Sequence, residues 1–574
     1  MIKLKFKYES LNVIKEFITN EYIKDDILFI DVKIIFEECI NPKPLTIRWE
    51  EKIVDVAGIW GPSFKDNEIR ANWGKKVIES QLARYMPEFT YYSSDGNNRY
   101  TLCLSDVKNL IYLSSGVIEE NGLFAMEIKL FNSPRKPIKE YEFTIRIDRR
   151  NIKYYDSIKE CVKWWESLGY TACEIPLETK EPVYSSWYNF HQNLRQDELL
   201  EEIKLASEMG FKTLIIDDGW QCDDNNRGYA YTGDWIVTNN KFYDLKKFVN
   251  DCHSLGVKVM LWYSLPFVGV KSKISEKFKG YYLAYLKWCD AYTLDPRFKC
   301  VRDHLINLFK TALIEWDLDG FKLDFIDAFY LYEESSKDYE NMDVVVLEDA
   351  VDRLLKDIYI ELSKLKQNVL IEYRQAYVGP LVRSYGNMLR VGDCPYSANT
   401  NKREIINLRY TSGNTPVHTD MIMWHKETTN RDCFKQLYSS LFSVPQISVL
   451  LKELVNDHYK IVKNFLNYYN ENKDILFNGE FTASTPDNNY SWAKSTYLDK
   501  DIVALYQVNS YKIINDKTDI IYLSNNNHIY LELTFNVSVQ VLDCLDNVIL
   551  NKEFQEGIIK LEIPDSCRIN IKKI

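Results

Sequence analysis

Apolar and polar positions along this chain follow two different periods, and the change between them divides it. Over residues 1–155 the apolar positions cluster in short segments, such as 28–36, 100–104 and 141–147, rich in β-branched and aromatic residues. Turn formers such as Asp95-Gly96-Asn97-Asn98 separate them, which predicts an N-terminal antiparallel β-sandwich. A helical stretch at about 157–168 leads onward.

From about residue 183 the apolar spacing becomes helical and then extended by turns. A helix over 198–209 closes at Gly210 before an apolar run at 211–217. A second, over 245–255, closes at Gly256 before 257–263, and a third, over 301–315, leads through Asp319-Gly320 into 321–325. Glycine is favoured just past a helix end because it takes the left-handed conformation without penalty. In a fourth unit Leu347, Val351, Leu354, Leu355, Ile358 and Leu362 share one helical face, and a strand at 368–372 follows. Such alternation implies parallel strands joined by right-handed crossovers. Over 156–475 it predicts a (β/α)₈ barrel; a doubly wound sheet is the alternative, without its Gly-rich fingerprint. After a helix at 456–472, short strands at 502–507, 520–523, 528–533, 537–543 and 558–563 predict a small antiparallel β domain over 476–574.

One predicted strand carries chemistry. In Asp319-Gly320-Phe321-Lys322-Leu323-Asp324-Phe325 the period of two sends Phe321, Leu323 and Phe325 one way and Lys322 and Asp324 the other. Opposite charges on a buried face are costly unless they pair or act. Barrels of this kind carry their chemistry at the C-terminal strand ends, which makes Asp324 the leading catalytic candidate. Asp217 and Asp218, Trp262, Glu372 and Arg374, and Arg390 and Asp393 stand at other predicted strand ends. Any one such acid reads as a salt bridge or helix cap; five strand ends in succession would gather in one cavity. Paired carboxylates between aromatic walls suit glycosidic bond cleavage.

Composition narrows the alternatives. At 574 residues the chain is too long for one core. A net charge of -11 gives no help toward nucleic acid or anionic membranes, and no apolar run is long enough to span a bilayer. The 12 cysteines form no C-x-x-C pair and the first residues carry no apolar signal core, so a cytoplasmic protein with reduced thiols is expected. Seven histidines without ligand spacing, and no Gly-rich phosphate loop, predict neither metal nor cofactor. The 40 Tyr, 27 Phe and 13 Trp include enough rings to line a sugar site, although most belong to cores.

Three segments then resemble a known family. Leu214-Ile215-Ile216-Asp217-Asp218-Gly219-Trp220, Asp295-Pro296 with Val301-Arg302-Asp303, and Phe321-Lys322-Leu323-Asp324 are similar, in order and spacing, to the melibiase-like alpha-galactosidases of glycoside hydrolase family 36, clan D, over about 183–470. The resemblance implies a retaining alpha-glycosidase acting on terminal alpha-galactosides by double displacement. It makes Asp324 the nucleophile and Asp393 the acid/base, with a raised pKa. Asp217 and Asp218 would accept from sugar hydroxyls, with Trp220 walling that end of the pocket. Lys322 would bind ring hydroxyls and keep Asp324 ionised; Arg390 would orient Asp393 or meet a 2-substituent. Trp262, Glu372 and Arg374 would line the same pocket. The expected partner is an oligosaccharide or glycoside, and a homo-oligomer is expected because family members are often oligomeric.

Departures from the family pattern surround this set. The glutamate that usually follows the third-strand Trp is absent from Trp262-Tyr263-Ser264-Leu265-Pro266. Glu372-Tyr373-Arg374-Gln375-Ala376 replaces a Cys-Ser-Gly-Gly-Gly loop, and Gly392-Asp393-Cys394-Pro395-Tyr396 replaces Ser-Asp-Asn-Thr-Asp. Alpha-N-acetylgalactosaminidase, alpha-glucosidase and galactosyl transfer therefore stand as neighbouring readings, and a non-catalytic sugar-binding protein as one from another class. His418 and Asp420 lie on a later strand, near the site or as satisfied structural groups.

Overall fold

The computed structural model describes residues 4–8, 13–133 and 136–574. Eight parallel strands form its centre: Val183–Ser185 (β1), Thr213–Ile216 (β2), Lys258–Ser264 (β3), Gly320–Asp324 (β4), Leu370–Arg374 (β5), Met388–Arg390 (β6), Val417–His418 (β7) and Gln446–Ile447 (β8). From β1 to β7 each pairs with the next, and β1 also pairs with β8. Val444, just before β8, closes the ring: its N–H donates to Val417 O at 2.8 Å, and its carbonyl accepts from Thr419 N at 3.0 Å. The sheet is thus a barrel and not an open doubly wound sheet. Around it run Gln196–Met209 (α1), Leu245–Ser254 (α2), Lys299–Trp316 (α3), Leu347–Leu365 (α4), Ala398–Thr411 (α5), Asn430–Tyr438 (α6) and Asn456–Glu471 (α7). Between β5 and β6 a single 3₁₀ turn, Val382–Ser384, stands where a helix would be.

Alternation along the strands sorts the side chains into layers. Leu214, Ile216, Phe321 and Leu323 face outward into the large core shared with the helices. Val183, Ile215, Met260, Leu370 and Met388 form a separate apolar cluster at the lower level of the inward faces. Further along, the inward positions of β4, β5 and β6 and the residue just after β2 are charged: Lys322, Glu372, Arg390 and Asp217. The strand geometry itself therefore stacks an apolar plug under a charged layer.

The helix-ending glycines divide in role. Gly210 has φ of 106° and caps α1 in the left-handed conformation. The left-handed cap of α3 is instead Asp317, at φ 54°. Gly320 already lies inside β4, where a Cβ would stand 2.0 Å from Leu370 O. That glycine is required by close strand contact and not by a helix end.

Asp319, at the lower end of β4, ties several loops together. Its carboxylate accepts from His253 Nε2 at 2.7 Å and Val259 N at 2.8 Å, with Lys366 at 3.1 Å and Lys258 at 3.5 Å. Burial pushes its pKa up, but the His253 and Val259 hydrogen bonds and Lys366 outweigh this and lower it to about 2. A folded-state pKa below the unfolded value stabilises above the unfolded pKa, and the contribution is lost as pH falls through the folded one. Asp319→Asn is expected to cost about 2–3 kcal/mol at pH 7, with the difference from wild type shrinking between about pH 5 and pH 2. Denaturant melts of both proteins across that range check it.

The N-terminal segments form two antiparallel sheets over one core, built by strands such as Ile27–Ile40, Leu45–Glu51 and Ile138–Asp148. This part also braces the barrel's upper rim. Tyr85 N donates to Ala376 O at 2.7 Å, and Arg84 Nη2 to Asp327 O at 3.2 Å. The C-terminal sheets, spanning Glu480–Ala483 to Cys567–Lys573, are mostly antiparallel. Two pairings are parallel, Lys500–Leu505 with Lys517–Tyr522 and Ser510–Ile513 with His528–Leu533. Among the described residues no helix is long and apolar enough to cross a membrane.

Candidate active site

Asp324 ends β4 with its carboxylate 6% exposed and surrounded by donors. Oδ1 accepts from Arg374 Nε at 2.8 Å, from Phe325 N at 2.8 Å and from the Tyr377 hydroxyl. Among the described residues, Oδ2 accepts only from Trp262 Nε1, at 3.0 Å. Burial alone would raise this pKa; the Arg374 guanidinium and the Lys322 ammonium overcome it and hold the group far below the usual carboxylate range. Asp324 is therefore an anion with one well-anchored oxygen and one lightly held.

Lys322 sits one pleat lower and does not bond to Asp324. Its Nζ donates to Asp217 Oδ2 at 2.6 Å, so the strand's lysine crosses the barrel to the aspartate after β2. Asp217 N donates to Ser186 Oγ at 2.9 Å, and Asp217 Oδ1 accepts from Asp218 N at 2.9 Å. Asp218 accepts from Gln192 and Gln221, both at 2.7 Å. Burial raises Asp218 to about 6 against those two hydrogen bonds.

The opposite wall is built on β5, β6 and β7. Arg390 is 1% exposed, and its Nη1 donates to Asp420 Oδ1 at 2.7 Å, Asp393 Oδ1 at 3.0 Å and Val391 O at 3.0 Å. Arg390 thus orients Asp393. Glu372, fully buried, accepts from Gln446, while its Oε1 lies 3.5 Å from Arg390 Nε without a hydrogen bond. Gln375 Oε1 accepts from Gly392 N at 2.8 Å, fixing the loop that carries Asp393.

Two expectations change here. The Asp393 carboxyl, its side chain half exposed, is pushed up by desolvation, but Arg390, Arg374 and Lys322 outweigh this and hold it below the usual range. It is thus an anion and not the raised acid expected. Trp220 is fully buried, donates to Trp262 O at 3.0 Å and packs against Trp235, Tyr263 and Trp316. It stands behind the pocket, supporting Trp262, because the turn after Gly219 carries its ring outward into the helical core. Asp295 pairs with Arg297 at 2.7 Å, and Arg302 binds Pro296 O, so that motif is structural.

His418 is buried beneath the site, bonded through Nε2 to Thr179 O at 2.9 Å and facing Gln446 through Nδ1 at 3.3 Å. Burial lowers its pKa to about 3, so it stays neutral. Asp420 joins the site through Arg390, Tyr188 and Cys394 N. Sequence patterning overlooks Tyr377, Gln375 and Tyr229: all three are on loops, where no periodicity marks them. A separate cleft of about 590 Å³ lies at the lower end of the barrel near Arg409 and Phe481 and contains none of these carboxylates. Among the described residues no group of three or more His, Cys, Asp or Glu could hold a metal.

The geometry is a ring of acids closed by two arginines and a lysine at the C-terminal mouth of a (β/α)₈ barrel. Residues 177–307 match the melibiase family model. That match takes in β1 to β3 and ends within α3, before Asp324 and Asp393. Alpha-galactosidase 2 of Pediococcus pentosaceus is 24% identical over 182 residues, an overlap of 29% of this chain and a quarter (25%) of that protein. Among solved structures, the alpha-galactosidase of Lactobacillus brevis aligns over 100% of this chain and 85% of its own, with a TM-score of 0.66 and 13% identity. A GH36 alpha-galactosidase of Geobacillus stearothermophilus, solved as a variant with raffinose, aligns over 100% and 88%, with a TM-score of 0.63 and 12% identity. These likenesses bear out the fold from end to end, including the flanking β-sheets.

Proposed function

We propose that this chain is a retaining alpha-glycosidase that hydrolyses terminal alpha-galactosides. The observation that carries the reading is the setting of Asp324: a buried carboxylate kept ionised by Arg374, close enough to a second carboxylate, Asp393, held by Arg390, for their charges to interact. The melibiase match and the alpha-galactosidase folds supply the sugar and the linkage, and raffinose, bound by one of those enzymes, is such a substrate.

In the first step Asp324 Oδ2, the lightly held oxygen, attacks the anomeric carbon. The bond from that carbon to the leaving oxygen breaks, and Asp393 delivers its proton to that oxygen. In the second step water attacks the same carbon, Asp393 takes the water's proton, and the Asp324 carboxylate is released. Asp217 and Asp218 accept hydrogen bonds from the sugar hydroxyls, and Lys322, bonded to Asp217, donates to them.

The lowered pKa of Asp393 fits a cycle. Seating the sugar removes water from the half-exposed carboxyl and raises its proton affinity while Asp324 is still charged. The Asp324 charge itself pushes Asp393 upward. Once Asp324 becomes an ester, that push disappears and Asp393 is again a base. The test is a panel of aryl alpha- and beta-glycosides, with the product anomer followed by NMR. Release from the alpha-galactoside with alpha-galactose formed first is the expected result. Turnover confined to another sugar, or beta-galactose as first product, would sink the reading in its sugar or its stereochemistry.

A further inference from the structure

Between β3 and α3 the chain inserts a small three-stranded sheet, Phe267–Gly269, Tyr282–Leu286 and Ala291–Leu294. Its tip presents Trp288 with 67% of its surface exposed. The tip is firmly held. Cys289 N bonds to Leu286 O at 3.2 Å, Tyr229 N to Cys289 O at 3.2 Å, and Val270 N to Asp290 O at 3.1 Å. The sheet presses so closely on the loop after β2 that a Cβ on Gly269 would stand 2.2 Å from the Ala230 backbone.

Trp288 is the outermost ring of a series that begins at the carboxylates. Trp262 holds Asp324 at 3.0 Å, and Tyr229 lies 6.0 Å from Trp262 with the rings nearly parallel, at 24°. Trp288 is then 6.2 Å from Tyr229, 6.2 Å from Phe325 and 6.0 Å from Phe267. Phe325 directly follows Asp324 and carries the Arg374 guanidinium 5.4 Å from its ring centre. The acids Asp218, Asp324 and Asp217 all add to burial in raising the Tyr229 hydroxyl, so that edge of the shelf faces the reacting centre.

We infer that Trp288, with Tyr229 and Phe325, is a platform that stacks on the leaving-group sugar of an oligosaccharide substrate. A pyranose offers an apolar C–H face to an aromatic ring and keeps its hydroxyls at the edge, which suits a half-wet shelf with Arg374 and carboxylates on its inner side. The inference rests on the glycosidase reading, because the leaving sugar is what lies outward of Asp324.

The test compares Trp288→Ala with wild type on raffinose and on methyl alpha-galactoside, whose leaving group is too small to reach the shelf. The KM for raffinose should rise about tenfold with little change in kcat, and kcat/KM for the methyl glycoside should stay within about twofold. Titration calorimetry of raffinose with Asp324→Asn, alone and combined with Trp288→Ala, reads binding without turnover and should show the same loss. That arm separates failures. If the wild type cleaves neither substrate, the hydrolase reading fails while a Trp288-dependent binding of raffinose still supports the platform. Equal losses on both substrates, no loss on raffinose, no raffinose binding at all, or a change in oligomeric state in Trp288→Ala would overturn it. The last result would make Trp288 a contact between copies of this chain.

Discussion

Asp324→Gly is expected to lower kcat on alpha-galactosides by at least about 10³-fold, equivalent to about 4 kcal/mol of barrier, with turnover restored by added azide. The expected product of that rescue is beta-galactosyl azide, since the small anion occupies the space of the missing carboxylate and attacks from its side. Asp324 also pairs with Arg374, so loss of activity alone would not separate a nucleophile from a buried ion pair. The azide product does. Asp324→Asn should lose activity to a similar extent while keeping the hydrogen-bonding shape of the side chain. A variant that azide does not rescue, although it is folded by circular dichroism and still binds raffinose, would reduce Asp324 to a structural partner of Arg374.

Asp393→Ala should split substrates by leaving group. For sugars that depart as alkoxides, kcat/KM is expected to fall about 10²–10⁴-fold, the usual worth of a positioned acid. Nitrophenyl galactoside, whose phenolate leaves without a proton, should lose much less in its first step. Azide then accelerates turnover by intercepting the glycosyl ester and gives alpha-galactosyl azide, the opposite anomer from that of Asp324→Gly. The pH profile carries a second signature. Arg390 at 3.0 Å holds Asp393 below the usual range, so its protonated fraction declines as pH rises. The wild-type kcat/KM should therefore have its optimum on the acidic side of neutral and a falling alkaline limb. That limb should be absent from Asp393→Ala. An unchanged limb would assign it to another group.

The departures from the melibiase pattern are where this chain builds its own site. The loop after β5, Gln375-Ala376-Tyr377, supplies a hydroxyl to Asp324 and an amide side chain to the loop bearing Asp393. Tyr85 and Arg84 of the N-terminal sheets brace this region from above. The N-terminal part of the chain is therefore physically connected to Asp324, through the loop that carries Tyr377.

Much of the framework was determined by local pattern. The helical stripes, the Gly210 cap and the inward alternation of Lys322 and Asp324 follow from periods of 3.6 and two, which any chain with these residues must satisfy when it buries its apolar faces. The identity of the acids at the strand ends could be read for the same reason. Val183–Ser185, Val417–His418 and Gln446–Ile447 are too brief to show a period, and only their parallel pairing with neighbouring strands defines them.

Partnership and exposure were decided by tertiary structure. Lys322 bonds to Asp217 instead of its strand neighbour because residues two apart on one strand point the same way, while the barrel brings the strand ends face to face across its mouth. Trp220 turned outward into the helical core although it follows the acids directly, since a single turn at Gly219 separates the pocket from the space behind it. The sign of the Asp393 shift depended on Arg390 and Arg374, whose charges reach it from β6 and β5. Sequence alone set which groups this protein has at its strand ends. Which of them meet, and in what state of charge, depends on distances through a low-dielectric interior, and those exist only once the barrel has closed.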